Sequence, residues 1–257
     1  MKRTLLNLVL LLFLSICALQ AQTSTAPTSI SWGEEIPKSS KYTVEEVVSA
    51  GPWGFYALRS TYKSKLLPRQ FYAEHYDADM RLKRSVKLNL KYENKKRDFG
   101  RLTMVGGKLY LLTSFNNEAT KKNYLFAQVM DNKLEPSQDL IKIGEIDTRN
   151  KYRDGEFGIS ISSDSSRVLI YNEWPEKKQE PARFTLRVYD NAFNGLWTKD
   201  VVLPYNSDRF SVEEYQIDNE GNVYLLGIAY EEKKNRTRRN GKPTYRYLIL
   251  MYNNKGE

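Results

Sequence analysis

Apolar residues in this chain fall into short alternating or continuous runs broken by polar turns, the period-two signature of β-strands rather than the 3.6-residue spacing of helices. The runs follow an order that recurs four times. A strand-like segment passes through a tight turn into a strongly apolar strand, then a long polar loop, then a strand ending in Asp or Asn. The apolar second strands are GFYALRS (54–60), KLYLLTSF (108–115), RVLIYNEW (167–174) and NVYLLGIAY (222–230). The third strands are FYAEHYD, LFAQVMD, TLRVYDN and YLILMYNN, and their closing positions Asp77, Asp131, Asp190 and Asn253 recur at a near-regular spacing. A long period built wholly from strands predicts an all-β repeat of small antiparallel sheets.

Each repeat is expected to hold four strands. YTVEEVVS, GFYALRS, FYAEHYD and RSVKLNLKY make the first, and FGRLTMV, KLYLLTSF, NYLFAQVMD and QDLIKIGEI the second. The third is FGISISS, RVLIYNEW, FTLRVYDN and LWTKDVVLP; the fourth is FSVEEYQID, NVYLLGIAY and YRYLILMYNN, with no fourth strand. Repeat boundaries fall at about 42–92, 98–147, 156–204 and 210–257. The turns AGPW, VGGK, SDSSR and DNEGN join first to second strands as hairpins, with Gly supplying positive φ and Asp, Asn or Ser local hydrogen bonds.

The hairpins ISISSDSSRVLIYN and YQIDNEGNVYLLG resemble the first-to-second-strand hairpins of β-propeller blades. The resemblance covers residues 42–257 and concerns architecture: it implies radial four-stranded sheets around a channel, in a superfamily most of whose members bind rather than catalyse. The His and Trp-Asp signatures and the Asp-box of particular subfamilies are absent, so it supplies no catalytic residue. The expected fold is therefore all-β and propeller-like, with three complete blades and a fourth lacking one strand. Two completions are open: the segment ISWGEEI (30–36), which resembles IKIGEID (141–147), or further blades of a longer propeller.

The segment 1–21 reads as a secretory signal, with Lys2 and Arg3 ahead of an apolar run and small Ala21 at the end. The segment 22–41 forms a linker with one strand. Cys17, the only cysteine, lies within the signal and offers an alternative of lipid attachment. A mature chain without cysteine has no disulfides, which suits an exported protein with a self-sufficient core in the periplasm, at the cell surface or outside the cell. No transmembrane segment is expected in that mature chain.

Lys and Arg outnumber Asp and Glu by 40 to 31, a formal charge of +9. The excess concentrates in the second-to-third-strand loops, which carry +3, +1, +1 and +4 in chain order. Strand alternation gathers these loops on one face, so the candidate binding residues are Lys63, Lys65, Arg69, Lys121, Lys122, Lys177, Lys178, Lys233, Lys234, Arg236, Arg238, Arg239 and Lys242. A one-sided basic face points to an acidic glycan or a protein, and export argues against nucleic acid. Simple solvation of long hairpin loops accounts for the same charges.

Catalytic chemistry is thin. His75, the sole histidine, lacks an identifiable nucleophile beside it. The doublets Glu45–Glu46 and Glu213–Glu214 should point to opposite faces of their strands and so make no facing acid pair. Trp32, Trp53, Trp174 and Trp197 sit at strand ends and turns, where rings stack on sugars or pack between sheets. With no Cys/His cluster, neither metal nor cofactor is expected. The reading is an exported non-catalytic scaffold, with a propeller carbohydrate-active hydrolase or a structural fragment of an envelope assembly as alternatives.

Overall fold

The computed structural model describes residues 32, 33, 35, 40–62, 67–148, 156–174, 180–231 and 237–257. They belong to two units, Met1–Glu35 and Ile36–Glu257. In the first, Trp32, Gly33 and Glu35 are exposed and carry no regular structure, and the rest of ISWGEEI lies outside the described residues. The signal segment and Cys17 lie outside them too.

The second unit is a succession of antiparallel sheets. Blade 1 contains β1 (Tyr42–Gly51), β2 (Gly54–Thr61), β3 (Phe71–Tyr76) and β4 (Leu82–Lys87), followed by a small ribbon of β5 (Lys91–Tyr92) and β6 (Lys95–Lys96). Blade 2 contains β7 (Asp98–Val105), β8 (Lys108–Asn117), β9 (Lys122–Val129) and β10 (Ile141–Asp147). Blade 3 contains β11 (Phe157–Ile161), β12 (Arg167–Glu173), β13 (Pro181–Asp190) and β14 (Gly195–Asn206). In blade 4, β15 (Phe210–Ile217) and β16 (Val223–Tyr230) are followed by a ribbon of β17 (Arg238–Arg239) and β18 (Lys242–Pro243), and then by β19 (Tyr245–Tyr252). Its sheet has three strands, in the order β15-β16-β19. Four sheets built on one strand order make this an all-β, propeller-like fold.

The recurring Asp or Asn has a structural job. Asp77, Asp131, Asp190, Asp218 and Asn253 each accept, on one side-chain oxygen, the backbone N–H groups two and four positions on. The backbone closes the same short loop every time, as in Asp77 N–H to Arg81 O and Asn253 N–H to Glu257 O. A short acceptor at this position satisfies turn donors that no strand can reach. Partial burial pushes the carboxyls of Asp190 and Asp218 up, but the loop hydrogen bonds together outweigh it and hold both below the usual range. The half-buried Asp77 is lowered chiefly by the N–H of Arg81.

Because side chains alternate along a strand, blades 2 and 3 each turn one face toward the preceding blade and one toward the next. Leu58, Ala73, Leu109 and Leu111 belong to the core between blades 1 and 2. Tyr110, Leu112, Leu125 and Ala127 meet Val168 and Ile170 between blades 2 and 3. Leu169, Phe184, Leu186 and Val188 meet Tyr215, Val223 and Leu225 between blades 3 and 4. Polar ties cross the same seams: the Tyr189 hydroxyl donates to Ile143 O at 2.7 Å and Arg187 to Glu145 O at 2.7 Å. Burial pushes the Arg187 guanidinium down and the Tyr189 phenol up.

Glu145 on β10 also accepts from Lys122 at 2.5 Å and Lys142 at 2.9 Å, and these two hydrogen bonds bring its carboxyl down from 4.5 to about 2. A depressed carboxylate contributes stability that is present above its unfolded value and lost as pH falls through the folded one. Glu145→Gln is therefore expected to lower stability at pH 7, by under about 1 kcal/mol since the group is one-third exposed. The gap to the wild type should close as pH falls from 4.5 toward 2, as read from urea unfolding at each pH.

Candidate functional site

The basic residues expected to line one face divide in two. Lys63, Lys65, Lys177, Lys178, Lys233, Lys234 and Arg236 lie outside the described residues. Of the others, Arg69 is committed to blade 1: it donates to Glu45 at 2.5 Å and to the Ser60 hydroxyl at 3.0 Å. Lys122 stands within β9, not in a loop, and is paired with Glu145 and Asp147. Both find carboxylates on neighbouring strands, so neither offers a free cation to a ligand. Lys121 is exposed in its loop, and Arg238, Arg239 and Lys242 are exposed on the β17–β18 ribbon.

The acidic doublets depart from strict alternation. β-Bulges interrupt the β1–β2 pairing between Val44 and Glu46 and the β15–β16 pairing between Val212 and Glu214. A bulge inserts one extra residue and cancels the flip that alternation requires. Glu45 and Glu46 share one side: Glu45 takes a hydrogen bond from Ser60 of its own blade at 2.7 Å, and Glu46 meets Arg101 of blade 2 at 3.3 Å. The Ser60 hydrogen bond is the main reason the Glu45 carboxyl is lowered. Glu213 and Glu214 likewise share a side, accepting from Ser211 at 2.7 Å and Gln216 at 2.5 Å.

His75 sits on β3 with no acid partner among the described residues. Its ring lies 4.9 Å from Tyr56 and 6.0 Å from Trp53, and its Nε2 is buried without a hydrogen-bond partner among them. Trp53 and Tyr56 line one wall of a cleft, and His75 is the cross-strand partner of Tyr56. Trp53 is presented by the β1–β2 turn, where a glycine is needed at position 54: a side chain there (φ +111°) would run into the backbone of Tyr76 and Asp77. The indole is left 45% exposed, with its centroid 4.9 Å from that of Tyr56.

Facing it, blade 2 contributes Met104, Lys108, Met130, Asp131 and Asn132, and the space between is about 650 Å³. Such a cleft combines an aromatic platform with one cation, one carboxylate and one amide. That is the chemistry used to hold a ring with apolar faces and polar edges. Trp53 is one of the tryptophans that the sequence offers for stacking on sugars, whereas its partners here come from the turns of blade 2. Among the described residues no three His, Cys, Asp or Glu side chains cluster as a metal site. No helix among them is long and apolar enough to cross a membrane.

No protein-family model matches the chain, and no curated protein matches it. Among solved structures it is similar to an endo-arabinase from Bacteroides thetaiotaomicron VPI-5482, with 12% identity and a TM-score of 0.40, over 80% of this chain and 72% of that one. It is also similar to a eukaryotic initiation factor, with 10% identity and a TM-score of 0.33, over 83% of this chain and 53% of the other.

Proposed function

We propose that this chain is an exported propeller-like binding scaffold whose ligand is a glycan with acidic groups, seated in the cleft between blades 1 and 2. The observation that carries the reading is the exposed Trp53 ring, braced by Tyr56 and His75 and opposed by Lys108 across the cleft. A pyranose stacked on the indole would place its hydroxyls near Asp131 and Asn132 and an acidic substituent near Lys108. Binding is favoured over hydrolysis because the carboxylates of both doublets are already held by local donors. The leader-like segment 1–21 supports export. The exposed cations of the β17–β18 ribbon would add long-range attraction for an acidic polymer without supplying its seat.

The test is calorimetric titration with neutral and uronic-acid-containing oligosaccharides. An acidic oligosaccharide is expected to bind, and Trp53→Ala to weaken it roughly 30-fold, the equivalent of about 2 kcal/mol. A released reducing end during the titration, or unchanged affinity in the variant, would defeat the reading.

A further inference from the structure

Residues 81–97 hold eight Lys and Arg against the single Glu93, in a chain whose formal charge is +9. They build β4, the edge strand of the blade 1 sheet, and the β5–β6 ribbon that follows it. Four of the eight have local partners. Arg81 and Lys83 lie 3.6 and 3.7 Å from Asp79 and Asp77. Arg97, 3% exposed, pins the ribbon to blade 2: it donates to the Thr113 hydroxyl at 2.7 Å and the Gln128 side-chain carbonyl at 2.9 Å, and lies over the Tyr92 ring. Lys95 lies over the Phe115 ring of blade 2. The other four, Arg84, Lys87, Lys91 and Lys96, are exposed and have no carboxylate partner among the described residues.

The ribbon breaks a local rule. Its register sets Lys91 directly opposite Lys96, and like charges so placed destabilise a strand pair. An anionic group held between the two ammonium groups would turn that repulsion into attraction, and a broken local rule with no structural return marks a functional place. Lysines also guard exposed edges against aggregation, but the other blades show no such need. β10 and β14 end their sheets too, yet β10 carries Lys142 with Glu145 and Asp147, and β14 carries Lys199 with Asp200.

We propose that this edge, from Arg84 and Lys87 on β4 to the Lys91–Lys96 pair, is a docking strip for a linear acidic polysaccharide. Arg84 and Lys87 stand on opposite faces of β4, so cations flank its free edge on both sides. Six residues at ~3.3 Å give β4 a length of ~20 Å, which suits an extended polymer with charges spaced along it. Because Arg97 anchors the ribbon, its lysines are displayed with little left to order on binding. Stacking of nucleic-acid bases needs a free aromatic ring, and Tyr92, the only aromatic residue of the segment, is taken up by Arg97. The strip is separate from the Trp53 cleft: the ribbon precedes the start of β7, and the cleft is lined from the turn at its other end.

Binding of polygalacturonate to the full chain between about 50 and 200 mM salt, with dextran as the neutral control, tests this. Polygalacturonate should bind with an affinity that falls steeply as salt rises. Lys91→Gln combined with Lys96→Gln should weaken it at least about 10-fold at the low-salt end and reduce the slope of log affinity against log salt by about 1. The same double variant should not lower Tm, since it removes a repulsive pair. An equal loss of charge on blades 3 and 4, by Arg183→Gln with Lys255→Gln, should leave the slope unchanged. Trp53→Ala should leave it unchanged as well, which separates the strip from the cleft. Absence of polygalacturonate binding, dextran bound equally well, or equal losses in the two double variants would overturn the inference. So would a single-stranded oligonucleotide held more tightly than polygalacturonate at the same salt, which would mark a nucleic-acid surface.

Discussion

Leu186→Ala is expected to destabilise the protein by about 3 kcal/mol, and Ile249→Ala, at the equivalent position one blade later, by less than about 0.5 kcal/mol in dilute solution. Leu186 is fully buried in the cluster that joins blades 3 and 4, so its truncation loses transfer free energy and leaves a cavity between two sheets that cannot close over it. Ile249 holds the same place in the repeat but is left largely in solvent. For a folded region of this size the first change corresponds to a fall of roughly 6–12 °C in Tm. Chemical denaturation of both variants checks it. Equal losses at the two sites would mean that the fourth blade is covered in the isolated chain.

The second large effect is expected at the ion pair of blade 1. Glu74 is 1% exposed and its oxygens are shared among Arg59, Tyr76 and Ser85. Arg59→Ala strands that carboxylate and should cost about 3 kcal/mol, toward the lower end for a buried pair because the arginine itself is partly in water. Replacing both partners by apolar residues of similar volume, as Arg59→Met with Glu74→Leu, should recover most of the loss, since the strong penalty comes from the unpaired charge. A double-mutant cycle by urea unfolding measures it, and a single-variant loss under about 1 kcal/mol would show that the pair is solvated.

How much of this could be read in the sequence follows from the range over which each feature is determined. Strands and their order were legible because apolar alternation is local, and the spaced Asp and Asn residues marked turns that the structure shows to be one loop used repeatedly. The orientation of Glu45–Glu46 and Glu213–Glu214 was not, because a bulge depends on the pairing of two strands and leaves no mark in either one alone. The ties of Arg69 and Lys122 were hidden for a related reason: Glu45, Glu145 and Asp147 reach them from other strands, far off along the chain. The cleft was the least legible feature. Trp53 is visible as a turn residue, but its opposite wall comes from Lys108 and the 130–132 turn, brought there only when blade 2 packs on blade 1.

Ligand recognition in the Trp53 cleft leaves the basic β17–β18 ribbon a secondary, long-range part. Calorimetric titration of one acidic oligosaccharide into two variants, Trp53→Ala and the triple Arg238→Ala, Arg239→Ala, Lys242→Ala, separates these roles most directly. The expected result is a roughly 30-fold loss for Trp53→Ala and a change within about threefold for the triple variant that shrinks further in high salt. A triple variant that abolishes binding while Trp53→Ala binds like the wild type would contradict it.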